Sequence, residues 1–484
     1  MNKKISKTII LFSLIMLVFT GLTGAAAPKY VFYFIGDGMG ASQRQAAQYY
    51  LQAEKGKEAK LTMNMLPVAG MITTHSSDSL VTDSAAAGTA LATGYKTNNG
   101  VIAQLPDGRN VKTLMELAKD KGMAAGIVTS TRLTHATPAT FVAHNESRYN
   151  ADAIADEYLE SGVEYFAGGG YRYFVPKDGS VAKSKRKDNK NLIQGFADKG
   201  YDVFVTESDT AEFRDFNVDG KEKVFAAFTY SHLPYELDRD DSQVPSLAEM
   251  TAKGIKVLNE YNDGFFMMVE GGRIDHACHA NDPAGSIHDT IAFDNALKEA
   301  YDFYDKHPEE TLIVVAADHE TGGFGLGFGK NYFLNMNAVQ KVKLTTADVL
   351  NYGQGKYDGD RAEFFSFIAE NMGLNDITEV EKAKIESAMD MVDKGLEGGA
   401  NEYGGYDPVA VTVTHIISER ANMNWTTYAH SGTAVPISAV GVGAEKLGGF
   451  KDNTEIAKAI ASIIEVKLEQ VAQIEDGKSL AVSN

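Results

Sequence analysis

Short apolar runs rich in β-branched and aromatic residues recur along this chain, separated by longer amphipathic stretches. The clearest runs cover residues 31–35, 125–129, 265–269 and 312–316, and residues 409–417 and 434–442 read as further strands. Helical spacing predicts helices over 111–121, 153–161, 247–261, 286–304 and 455–468. A strand that is apolar on every residue has no side to show to water and must be covered on both faces. Strands alternating with helices connect by crossovers and lie parallel. The pattern therefore predicts an α/β fold with a doubly wound, mostly parallel central sheet and helices on both faces. Two segments interrupt the alternation and read as irregular, crown-like insertions in one domain spanning 28–484. Residues 171–241 hold Lys183, Lys185, Arg186 and Lys187, a run most simply placed on a solvated loop, and residues 331–406 are polar and partly helical.

In open parallel sheets, ligands bind beyond the carboxyl ends of the strands, so the residues that follow each strand carry the chemical information. The first strand runs into Gly36-Asp37-Gly38-Met39-Gly40. The run at 265–269 enters Glu270-Gly271-Gly272-Arg273-Ile274-Asp275-His276-Ala277-Cys278-His279, and the run at 312–317 enters Asp318-His319. A single Asp or His at a strand end usually caps or hydrogen-bonds. Several together favour a coordination cluster over isolated caps, since Zn²⁺ accepts mixed imidazole and carboxylate ligands. In Val81-Thr82-Asp83-Ser84-Ala85-Ala86-Ala87-Gly88-Thr89, small residues after Ser84 suggest a helix whose N-terminus carries that hydroxyl, where free amides favour an anion. Serine is also a common N-cap, and spacing alone puts the cap reading ahead.

A net charge of −19 repels nucleic-acid backbones and excludes polymeric DNA or RNA as a partner. An anionic substrate would need positive charge supplied locally, by metal ions and arginine. Lys3, Lys4 and Lys7 precede an apolar stretch over residues 8–20 and then Gly24, Ala25, Ala26 and Ala27, the layout of a signal peptide spanning 1–27. The stretch is too short for a stable membrane anchor. The mature protein is therefore expected in the periplasm or outside the cell. Cys278 is the single cysteine, so an exported chain is here built without intrachain disulfides.

Taken together, these segments resemble the alkaline phosphatase family over most of the chain outside the two irregular segments, with the Val-x-Asp-Ser-Ala-Ala-Ala-Gly-Thr segment the most specific. The resemblance implies hydrolysis of small phosphate monoesters through a serine nucleophile, Ser84, assisted by two Zn²⁺ ions and one Mg²⁺, in a protein that is commonly a homodimer. Carried over residue by residue, it implies Asp275, His279 and His430 (in His430-Ser431-Gly432) as ligands of the first zinc. Asp37, Asp318 and His319 match the ligands of the second zinc. Glu270 and Thr137 (in Ala-Thr-Pro-Ala) join Asp37 around magnesium. Arg148, in Val-Ala-His-x-x-Ser-Arg, matches the phosphate-binding arginine, oriented by Asp83. His135 and His276 lie near the magnesium, where some bacterial members carry Asp and Lys. Cys278 reads as packing. The sulfatase alternative lacks its motif, because Ser84 is followed by Ala85-Ala86-Ala87. The diesterase alternative is disfavoured by Arg148 and the complete third-metal set.

Overall fold

The computed structural model describes residues 26–468 apart from Lys221 and Glu397, so the expected signal peptide lies outside the described residues except for Ala26 and Ala27. Ten strands form one sheet. In spatial order they are β12 (Gly449–Asp452), β2 (Val68–Thr73), β11 (Val435–Gly441), β8 (Thr311–Ala317), β1 (Tyr30–Gly36), β7 (Phe265–Glu270), β3 (Ala124–Arg132), β4 (Tyr165–Gly169), β6 (Lys223–Ala227) and β5 (Tyr201–Val205). Only β11 runs against the others. Two short strands, β9 (Glu320–Thr321) and β10 (His430–Ser431), pair separately.

The central strands β1, β7 and β8 are buried at every residue, as expected of parallel strands sandwiched between layers. The helix Pro283–Tyr304 packs on the helix Leu247–Asn259 and touches β1 and β8, while Leu247–Asn259 also touches β3 and β4. The helix Ser84–Thr93 packs against the last helix, Asn453–Ile463. Among the described residues, no helix is long and apolar enough to cross a membrane.

Two readings of the sequence need correction. Residues 409–417 are not a strand but lie within the helix Pro408–Ala421. Their β-branched run resembles a strand because a second apolar cluster, which includes Met336, Ile368, Ile385 and Met389, buries Val409, Val413, Ile416 and Ile417. Asp407 caps this helix by accepting from the amides of Val409 and Ala410, with proline in its first turn. Residues 171–241 are not wholly irregular, since they supply β5 and β6 to the sheet edge. Within the basic run Lys183, Lys185 and Lys187 are exposed. Arg186 is instead buried and paired with Asp156 and Asp188.

An aromatic cluster secures that edge. The Phe225 ring of β6 stacks on Phe196 with centroids 4.2 Å apart and lies 4.9 Å from Phe174. Phe225→Ala is expected to cost about 3–5 kcal/mol, the usual range for emptying a buried phenylalanine site, read as a lower denaturant midpoint. A shift worth less than about 1 kcal/mol would show that the edge refills the space.

Candidate active site

Strand register brings the first candidate ligands together. Ile35 of β1 stands opposite Glu270 of β7 on one side, and Gly36 opposite Ala317 of β8 on the other. Asp37, Glu270, Asp318 and His319 therefore emerge at one level. Gly38 turns there with φ +72°, and a Cβ would stand 2.8 Å from the Asp275 Cα, so the tight passage requires glycine. Asp275 and His279 share one face of the helix Arg273–His279, with Nε2 of the histidine 3.3 Å from Oδ1 of the aspartate. His135 and Thr137 follow β3, and His430 comes from β10, immediately before β11.

Three groups of ligand atoms result, each within 4.8 Å of one another: Asp275, His319 and His430; Asp37, Asp318 and His319; and Asp37, His135 and Glu270. His279 joins the first, its Nε2 lying 3.2 Å from Nε2 of His430. Thr137 Oγ1 lies 3.4 Å from both Asp37 Oδ2 and Asp318 Oδ2. His135 is drawn further in than its motif suggested, with Nδ1 3.6 Å from Glu270 Oε1 and 3.8 Å from Asp37 Oδ2.

The chemistry of these groups fits bound cations. Asp37 Oδ1, Glu270 Oε1 and His135 Nδ1 are buried without a hydrogen-bond partner among the described residues. Burial, reinforced by Asp318, Asp275 and Glu270, pushes the Asp37 carboxyl well above the usual range. Burial raises Glu270 to about 7 and raises Asp318 as well. Such crowding of buried carboxylates is costly unless positive charge offsets it. At the neighbouring group, burial opposes charge on His279, but Asp275 outweighs it and lifts the imidazole to about 9. Burial and His319 lower His430 to about 3. The two imidazole nitrogens face each other at 3.2 Å, a place suited to a divalent cation.

Ser84 begins its helix one residue inside the cap. Asp83 is the cap, its Oδ1 accepting from the Ala86 amide at 3.0 Å, so Ser84 is spared the capping role that spacing alone favoured. Its Oγ is buried, 3.1 Å from His319 Nε2. Arg148 Nη1 donates to the other Asp83 oxygen at 2.9 Å, and Nη2 lies 3.4 Å from His135 Nε2. One carboxylate thus fixes both the helix carrying Ser84 and the arginine beside it. Cys278 is buried, its thiol donating to Ser286 and accepting from Gln43, while burial holds its pKa well above normal. These contacts agree with the packing role read from the sequence.

One histidine went unrecognised. His232 packs edge-on against His276, with centroids 4.4 Å apart, and stands 5.6 Å from His135, which is itself 5.4 Å from His276. No motif surrounds it. The available signal was its place beyond the carboxyl end of β6, a strand the sequence reading had assigned to an insertion.

Residues 28–466 match the family model for alkaline phosphatase. The chain is 34% identical over 445 residues to alkaline phosphatase 3 of Bacillus subtilis, covering 91% of this chain and 90% of that protein. Its fold matches the Thermus thermophilus alkaline phosphatase with a TM-score of 0.78 at 30% identity, covering 92% of this chain and 93% of that one. It also matches the enzyme of the Antarctic bacterium TAB5, with a TM-score of 0.64 at 26% identity and coverage of 91% and 99%. A histidine-to-aspartate variant of that enzyme has Mg bound in its M3 site. A match along nearly the whole described chain, on a sheet that gathers metal-binding groups around a buried serine, places this protein in the alkaline phosphatase family, as a metal-dependent phosphomonoester hydrolase.

Proposed function

We propose that Ser84 is the nucleophile of this phosphomonoester hydrolysis and that Arg148 holds the transferred phosphoryl group. The observation carrying this reading is a buried serine hydroxyl at a helix N-terminus, within 3.1 Å of a histidine shared by two potential metal groups. Ser84 Oγ attacks phosphorus as the ester P–O bond breaks; the serine proton goes to solvent, and the departing alkoxide takes a proton from solvent to leave as the alcohol. Water then cleaves the phosphoseryl ester, releasing inorganic phosphate and restoring the hydroxyl. Free amides at the start of the helix favour the developing anion on Ser84. Arg148, held by Asp83, presents a planar fork to two non-bridging oxygens, which lysine could not match.

In this reading Asp275, His279 and His430 hold one Zn²⁺, and Asp37, Asp318 and His319 a second. Glu270, Thr137 and Asp37 hold Mg²⁺, with His135 and His276 beside it. Mixed imidazole and carboxylate donors suit zinc, and oxygen-rich ones suit magnesium. When bound, the ions supply Lewis-acid charge to the phosphate oxygens and lower the pKa of the serine hydroxyl. Only the phosphate is gripped in this scheme, so a range of alcohols is accepted. Export to the periplasm or beyond follows from the N-terminal pattern, and a homodimer from the family habit. Quenching turnover in acid is expected to leave phosphate on the peptide containing Ser84; label on another residue sinks the assignment.

A further inference from the structure

Three neighbouring strands send their carboxyl ends into a patch that the reaction above does not use. Arg132 ends β3 opposite Gly169 of β4. Gly170, Tyr171, Arg172 and Tyr173 follow β4, and Tyr230 and His232 follow β6. The Arg172 guanidinium lies 5.0 Å from the Tyr173 ring centroid and 5.2 Å from that of Tyr230, and Lys183 Nζ lies 5.0 Å from Tyr230. The loop carrying Lys183 is tied down where Ser184 Oγ and the Lys185 amide donate to the Arg172 carbonyl.

Among the described residues, none of these three cations has a carboxylate partner. The Arg132 amide and Nη1 each lie 3.3 Å from a ring nitrogen of His232. The Nε atoms of Arg132 and Arg172 are sealed from solvent without a partner. Burial pulls the Arg132 pKa down; Tyr173 opposes this, and Arg172 and Arg148 add to it. Elsewhere the chain treats a buried arginine differently, giving Arg186 both Asp156 and Asp188. In a protein with net charge −19, carboxylates are plentiful, so leaving adjacent cations unpaired at the strand ends favours a visiting anion. The patch is continuous with the catalytic centre: Arg148 reaches His135, His135 packs by His232, and His232 meets Arg132.

We propose that Arg132, Arg172 and Lys183 form a second anion subsite that receives a further phosphate group carried on the alcohol side of the substrate, so that bisphosphorylated alcohols are preferred over monophosphorylated ones. This rests on the reading that Arg148 and Ser84 handle the transferred phosphate. The guanidinium groups suit bidentate contact with phosphate oxygens. Tyr173 and Tyr230 hold Arg172 in place through their ring faces.

The test compares adenosine 3′,5′-bisphosphate with adenosine 5′-monophosphate on the metal-loaded enzyme. The native enzyme is expected to favour the bisphosphate in kcat/KM. Arg172→Gln, at a half-buried position, and Lys183→Gln, at an exposed one, both lie outside the catalytic groups and should each lower that preference by roughly tenfold, the contribution of one charge-assisted contact. Turnover of the monophosphate should stay within about twofold of native, because the substituted groups do not touch it. Direct titration into Ser84→Ala protein removes turnover from the comparison. There the bisphosphate should bind more tightly than the monophosphate, and Arg172→Gln should erase the difference. Equal losses for both ligands, or an unchanged preference in both variants, would overturn the subsite. Failure of the native enzyme to hydrolyse either compound counts against the catalytic assignment instead, while the titration still decides the subsite.

Discussion

Replacing Ser84 with alanine is expected to lower turnover of an aryl phosphate by roughly 10²–10⁴-fold, the range contributed by one well-positioned catalytic group. The side chain is small and begins a helix capped independently by Asp83, so the variant should fold with native thermal stability. Its amide still donates at the helix end, and Arg148 stays anchored to Asp83, so phosphate should continue to bind. A residual rate remains because water can be directed at the bound ester without a covalent intermediate. The informative combination is a collapsed kcat, a phosphate inhibition constant close to native, and loss of acid-stable label. A variant with near-native kcat would remove Ser84 from the mechanism.

Stripping divalent cations with a chelator should abolish turnover and destabilise the fold by about 2.7 kcal/mol for each ion formerly present at a hundred times its Kd. The metal-free protein should also acquire a distinctive pH dependence. Glu270 is raised by burial to about 7, and Asp37 and Asp318 are raised in the same direction. In the unfolded chain these groups titrate near pH 4. The folded form therefore retains protons that the unfolded form releases. The associated stability is fully present below about pH 4 and is lost as pH rises towards and through 7. Melting temperatures of chelated protein should fall across this window, while those of metal-loaded protein should not follow. Parallel profiles for the two forms would mean that these carboxylates hold no cation.

The central strands could be read from the sequence because burial on both faces leaves an uninterrupted apolar signature, as in β1, β7 and β8. The residues at their ends followed from the same reading, and register converts strand ends into neighbours. Edge strands carry a weaker signature. β5 spans only five positions and buries just Tyr201 and Phe204 fully, so it passed for loop. The helix Pro408–Ala421 misled in the opposite way, because extensive burial erased its polar face; Asp407 and Pro408 were the overlooked start signal. Spacing likewise could not decide whether Ser84 or Asp83 caps the helix, since that depends on which oxygen meets the Ala86 amide. His232 belongs to no local pattern, and only the folding of β6 beside β4 brings it to His276.

The single reversed strand has a consequence for the order in which the molecule is completed. β11 enters the sheet at the edge where the other strands leave it, which is how His430 is delivered to the site from just before a strand. β2, near the start of the chain, pairs only with β11 and β12, and the helix bearing Ser84 rests on the final helix. A chain growing from its N-terminus therefore holds Ser84 and most of the candidate metal-binding residues long before the elements that seat them exist. Enzymatic competence then waits for the last elements of the chain, and a fragment ending short of His430 should be inert however much of the sheet it has formed.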